Sequence, residues 1–175
     1  CLLQRQPQRS GTGFTCWGRL LFNQVQLSRQ QFVRGGARLD WKLEKLKIAI
    51  INHSLMDTHT LTYWLRQLPN TQILWTAASA AEALNHYQHQ RPELILLDVI
   101  LPDRDVIELM RDLTQCQPCP IVLASRLLTQ HTDKVFSAMS AGALDAIALP
   151  SGIIDTAADL FLNKLSTITH LIQHR

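Results

Sequence analysis

Between Lys47 and Arg175 the apolar residues follow two alternating rhythms, short unbroken runs and longer stretches in which they return every three or four positions. The first rhythm reads as strands buried on both faces, and the second as helices with one buried face. The strongest run is Leu94-Ile95-Leu96-Leu97-Asp98-Val99-Ile100-Leu101-Pro102, which Pro102 ends because it has no N–H and constrains the residue before it. Four other runs read as strands: Ile48-Ala49-Ile50-Ile51, Ile73-Leu74-Trp75-Thr76, Ile121-Val122-Leu123-Ala124, and Leu144 to Ala148. The stretches between them predict helices. One runs from an N-cap at Ser54 through Leu68, with Leu55, Thr62, Leu65 and Leu68 inward, and another from Ala80 to Gln90 behind Ser79. A third starts at Asp105 with Ile107, Met110 and Leu113 inward, and a fourth spans Thr129 to Ser140 with Gly142 as its stop. The last begins at Asp155 or Thr156 and carries Leu160, Leu165, Ile168 and Ile172.

Five β–α units of this length predict an α/β fold, a flavodoxin-like doubly wound five-stranded parallel sheet of order 2-1-3-4-5 with helices on both faces. Ligands of such sheets gather beyond the carboxyl ends of the strands, at the point where the strand order reverses. Asn52-His53, Asp98 and Ser125 all follow the ends of neighbouring strands, so they are expected around one pocket. A carboxylate at the end of a central strand either caps the next turn or is a functional group, and the repeated strand–helix pattern favours the second.

Composition changes this picture little. Of 175 residues 46% are hydrophobic, enough for a packed core. The net charge of +3 is uneven. Residues 1–46 hold eight Lys/Arg against two Asp/Glu, whereas the rest holds nine against twelve. The basicity therefore belongs to the leader and argues no nucleic-acid partner for the folded part. Residues 1–46 are expected to be a poorly ordered basic extension, with a short helical lead-in at Asp40 to Lys45, and 47–175 the folded domain. Cys1 opens the chain and Met56 is its first methionine, so the sequence reads as a fragment or as beginning upstream of the true start. Cys116-Gln-Pro-Cys119 has C-x-x-C spacing, yet no second pair or finger-spaced histidine accompanies it, so these read as incidental loop cysteines. His86 and His89 read as solvated surface residues. No run of 18 apolar residues occurs, so no membrane partner is expected and the chain is expected in the cytoplasm.

Several segments together resemble a response-regulator receiver domain. They are Ile51-Asn52-His53-Ser54-Leu55-Met56, Pro92-Glu93-Leu94-Ile95-Leu96-Leu97-Asp98, Lys134-Val135-Phe136-Ser137-Ala138-Met139, Gly142-Ala143-Leu144-Asp145-Ala146 and Lys164-Leu165-Ser166-Thr167-Ile168. Within that family they look most like the receiver half of the chemotaxis-type protein-glutamate methylesterases. The resemblance implies two-component signalling, with Asp98 as phosphoacceptor for a histidine kinase of a chemosensory system. It implies Ser125 as the switch hydroxyl, and Mg²⁺ held by Asp98, the Asn52-His53 positions and the backbone carbonyl of Ile100. Partners implied are that kinase and a methylesterase or other output domain, with a homodimer through the fourth helix, fifth strand and fifth helix as an option.

Five positions depart from the family pattern, two of them in the acidic pair. Asn52 and His53 stand where an acidic pair is usual, and a neutral imidazole suits transition metals better than Mg²⁺. Leu149 stands where a lysine is usual, Ala146 replaces the aromatic switch residue, and Val106 replaces a glycine. Together they predict a degenerate receiver with weakened Mg²⁺ binding, acting through protein–protein interaction. The alternative is a phosphorylation-competent regulatory domain of a methylesterase. A small enzyme or nucleotide binder of flavodoxin type is the third reading, with neither phosphate-binding glycine motif to support it. Ester hydrolysis is not expected, because only three residues follow Ile172 and no catalytic domain fits there. For His53 a plain structural role is ranked above direct contact with Asp98.

Overall fold

A computed structural model describes residues 45–115, 118–150 and 157–173. The expectations for residues 1–44, for Cys116 and for the start of the last helix lie outside them. The described residues form strands β1 (Leu46–Ile51), β2 (Thr71–Ala77), β3 (Leu94–Leu97), β4 (Ile121–Ser125) and β5 (Asp145–Ala148). They are interleaved with helices α1 (Leu55–Leu65), α2 (Ala80–His89), α3 (Val106–Gln115), α4 (Thr132–Ser140) and α5 (Ala157–Gln173). All strand pairs are parallel and the sheet order is β2-β1-β3-β4-β5, as the pattern predicts.

Strand alternation divides the core into two layers. Ile48, Ile50, Leu94, Leu96, Val122 and Ala124 point toward Leu61, Trp64 and Leu65 of α1 and Phe161, Leu165 and Ile168 of α5. Their neighbours Ala49, Ile51, Ile95, Leu97, Ile121 and Leu123 point toward α2, α3 and α4. Burial on both faces is why these strands read as continuous apolar runs.

Two helices bury a different stripe from the one expected. In α1 the buried side chains are Thr60, Leu61, Trp64 and Leu65, and Leu55 is 75% exposed. Ser54 caps this helix as expected, accepting from Asp57 N, and so places Leu55 in the first turn, beyond the edge of the sheet. In α5 the stripe is Ala158, Phe161, Leu165 and Ile168, while Leu160 lies outside it and is exposed. Gly142 has φ +106, the conformation a helix-stopping glycine supplies after α4.

Helix α2 receives a cap from a distant residue. Asp103 accepts from Ala80 N at 2.9 Å and Ala81 N at 3.0 Å, and these bonds hold its carboxyl below its ordinary range. Cys119 is buried, its thiol donates to the Pro92 carbonyl, and desolvation pushes its pKa up to about 12. It lies in the connection that precedes β4, with its thiol turned into the core. His86 is half-buried and stacks on Trp75 with ring centroids 5.4 Å apart, so it too is less solvated than expected.

Candidate functional site

Backbone hydrogen bonds carry the pocket residues out of the strands in fixed register. Asn52 N donates to Ala77 O, Asp98 N to Ile51 O and Leu149 N to Ser125 O, each bond continuing the adjacent ladder past the ends of β1, β3 and β5. Asn52, Asp98 and Ser125 are consequently buried at the carboxyl edge, with 2%, 2% and 1% of their surface exposed. Ser125 closes β4 itself, and its Oγ accepts from Leu127 N at 3.1 Å, which ties the hydroxyl to its own loop.

Asp98 is held from two sides. Its Oδ1 accepts from Val99 N at 2.8 Å, and its Oδ2 lies 3.0 Å from His53 Nδ1. The same Nδ1 lies 3.2 Å from the Ile100 carbonyl oxygen. A carbonyl can only accept, so Nδ1 carries the proton and is shared between the carboxylate and the carbonyl. This overturns the ranking of His53 as a plain structural histidine. Its imidazole contacts Asp98 directly while 41% of its side chain stays exposed.

Asn52 is also committed. Its Oδ1 accepts from Ser54 N at 2.8 Å, helping to shape the turn into α1, and its buried Nδ2 has no hydrogen-bond partner among the described residues. Because the Ser54 N–H fixes the amide's orientation, the group left without a partner is a donor, and a donor cannot ligate a cation.

The donor set does not fit Mg²⁺. A hard divalent ion calls for near-octahedral oxygen ligands, several of them charged. Here one carboxylate remains. Its Oδ2 and the Ile100 carbonyl share an imidazole N–H, and the Asn52 oxygen is bound to backbone. Among the described residues no group of three or more His, Cys, Asp or Glu side chains converges.

The other departures have local explanations. Leu149 is buried among Ile147, Ala158 and Phe161, so apolar packing occupies the lysine position. Val106 opens α3 and is 5% exposed in the layer facing α2 and α4, where a glycine would contribute no packing. Ala146 is half-buried, and its carbonyl accepts from Lys164 Nζ at 2.9 Å. The same ammonium pairs with Asp145, also at 2.9 Å.

One cation near the edge escaped sequence reading. Arg126, immediately after Ser125, places Nε 2.6 Å from Asp57 Oδ1 and donates from Nη2 to Thr60 Oγ1 at 3.3 Å, linking the β4–α4 loop to α1. These partners are more than sixty positions away along the chain, and no local spacing signals them.

Comparison with known proteins agrees with this architecture. Residues 48–173 match the family model described as "Response regulator receiver domain". The chain is 36% identical over 133 residues to a protein-glutamate methylesterase/protein-glutamine glutaminase of Pseudomonas fluorescens, covering 74% of this chain and 40% of the relative. A counterpart from Pseudomonas aeruginosa is 33% identical with the same coverage, so the chain spans about 40% of the length of these curated relatives. Among solved structures, the response regulator domain of Thermotoga maritima CheB superposes with a TM-score of 0.63 at 18% identity, covering 75% of this chain and 98% of that one. CheY6 of R. sphaeroides, solved in complex with the P1 domain of CheA3, accounts for a second match with a TM-score of 0.61 at 24% identity, covering 73% and 98%. The matched family, the parallel 2-1-3-4-5 sheet and the aspartate beyond its third strand agree, and the chain belongs to the response-regulator receiver family.

Proposed function

We propose that this receiver is a protein-interaction module of a chemosensory system and not a Mg²⁺-dependent phosphate acceptor at Asp98. The observation that supports this reading is His53 Nδ1 at 3.0 Å from Asp98 Oδ2 and 3.2 Å from Ile100 O. The imidazole N–H engages the two oxygens a divalent ion would need. Phosphoryl transfer to a carboxylate depends on a cation to neutralise the transferred oxygens, and Leu149 contributes none.

A binding role is supported by the surface of α4 and α5, where Phe136 and Leu160 are 74% and 73% exposed and Met139 is 39% exposed. Exposed large apolar side chains are the groups that contact surfaces use. The relatives suggest the partners: a chemosensory kinase and a methylesterase-type output domain, with a second copy of this chain as another occupant of that surface. Localisation in the cytoplasm follows from that assignment. Among the described residues no helix is long and apolar enough to cross a membrane.

The test is incubation of the full chain with acetyl phosphate and either Mg²⁺ or Mn²⁺, read by intact mass beside a receiver with an intact acidic pair. The control should gain a phosphoryl group, and this chain should gain none at Asp98. A hydroxylamine-labile adduct that Asp98→Asn removes would overturn the reading and establish the phosphorylation-competent alternative. For the binding role, Phe136→Glu should weaken calorimetric binding to a chemosensory P1 domain or a methylesterase domain at least tenfold, about 1.4 kcal/mol.

A further inference from the structure

The hydrogen bonds that remove Asp98 from metal chemistry leave the other side of the His53 ring available. With the proton on Nδ1, a neutral imidazole carries its lone pair on Nε2. Among the described residues Nε2 makes no hydrogen bond, and the side chain is 41% exposed. A carboxylate behind one ring nitrogen fixes the tautomer, orients the ring and stabilises the positive charge that grows when the far nitrogen attacks. His86 lacks this support, since its ring nitrogen stands 3.7 Å from Glu82 and the ring is stacked on Trp75. The adjoining Leu55 and Met56 at the start of α1 are 75% and 73% exposed.

We infer that His53 Nε2 is a phosphoryl-accepting nucleophile for nitrogen–phosphorus donors, with Asp98 as the residue that positions it. This rests on reading Asp98 as held by His53 and not as the acceptor. In the transfer the Nε2 lone pair forms the new bond to phosphorus, and the phosphorus–nitrogen bond of the donor breaks. The donor nitrogen leaves with that electron pair and the proton it already carries, as ammonia in the case of phosphoramidate. The phosphorylated imidazole keeps its Nδ1 proton and becomes a cation, whose charge the Asp98 carboxylate offsets. One nitrogen–phosphorus bond replaces another, so the step is close to balanced and calls for no metal.

The probe is phosphoramidate applied to the full chain with a chelator present, read by intact mass and by stability of the adduct. A single phosphoryl group should be gained that survives alkali and is lost in acid. His53→Asn should abolish it, because the Asn amide keeps a donor near the Nδ1 position and has no Nε2. Asp98→Asn should retain the adduct but form it about tenfold or more slowly, the loss expected when a residue that orients a ring is removed. Circular dichroism on both variants guards against misfolding. If the wild-type chain gains nothing while a phosphohistidine protein labels in parallel, the inference is overturned and the proposed function stands. An acid-labile adduct that persists in His53→Asn also overturns it, by placing the reaction on another histidine. An alkali-labile adduct lost in Asp98→Asn and kept in His53→Asn would overturn both readings.

Discussion

From Ile48 to Ile51, Leu94 to Leu97 and Ile121 to Ala124, every side chain is apolar and at most 1% exposed. One residue further, the same three strands deliver Asn52, Asp98 and Ser125, polar and equally buried. The interior is stabilised by non-directional burial, which any well-fitting apolar side chain supplies. At the edge each polar group needs a specific partner, and those partners are mostly neighbouring edge groups: His53 for Asp98, Ser54 for Asn52, Leu127 for Ser125. An exchange such as His53 for a carboxylate therefore rewrites the chemistry of the edge while the sheet beneath keeps its order. The fold and the chemistry of this receiver are separately specified, which is how a chain can keep one and alter the other.

That separation is most severely tested in the interior. Phe161→Ala removes a fully buried ring from between α5 and the sheet and should cost about 3–5 kcal/mol, measured by urea unfolding. A loss under about 1 kcal/mol would mean that α5 packs far less tightly than its burial suggests. Gly142→Ala should come next. A Cβ there meets nothing within 4 Å, so only the strain at φ +106 is felt, about 1–2 kcal/mol in the same assay.

Asp103→Asn should cost less than about 1 kcal/mol at neutral pH, because the capping carboxylate is exposed and screened by solvent. Its pH dependence has a defined sign. A carboxyl held below its unfolded value stabilises the fold above about pH 4 and loses that contribution as pH falls through its lower folded value. The difference between variant and wild type should accordingly shrink in acid. Smallest of all, His53→Asn should move stability by no more than about 0.5 kcal/mol, since the ring is substantially exposed. A large loss there would show the edge to be part of what holds the fold together.

The sheet was legible because burial on both faces leaves unbroken apolar runs, and the pocket because strand ends in a reversing order must converge. Helix faces were less so. Leu55 and Leu160 match a helical period, but a first-turn position beyond the sheet and a stripe led by Phe161 and Leu165 leave them in solvent. The Asp98–His53 contact ranked low because nothing in a sequence distinguishes a histidine that reaches across 45 positions from one that faces water. Arg126 with Asp57, and Asp103 with Ala80, were missed for the same reason: tertiary pairs leave no periodic trace.

Cys119 gives the molecule a chemical clock. With its thiol pushed up to about 12, the reactive thiolate is scarce at neutral pH, and the side chain lies behind Pro92 next to the start of β4. Cys119 is 8% exposed, so alkylation at this position should be slow in the native protein. The rate at which Cys119 is modified in native buffer therefore reports how often this thiol becomes reachable as thiolate, a frequency that equilibrium unfolding does not record.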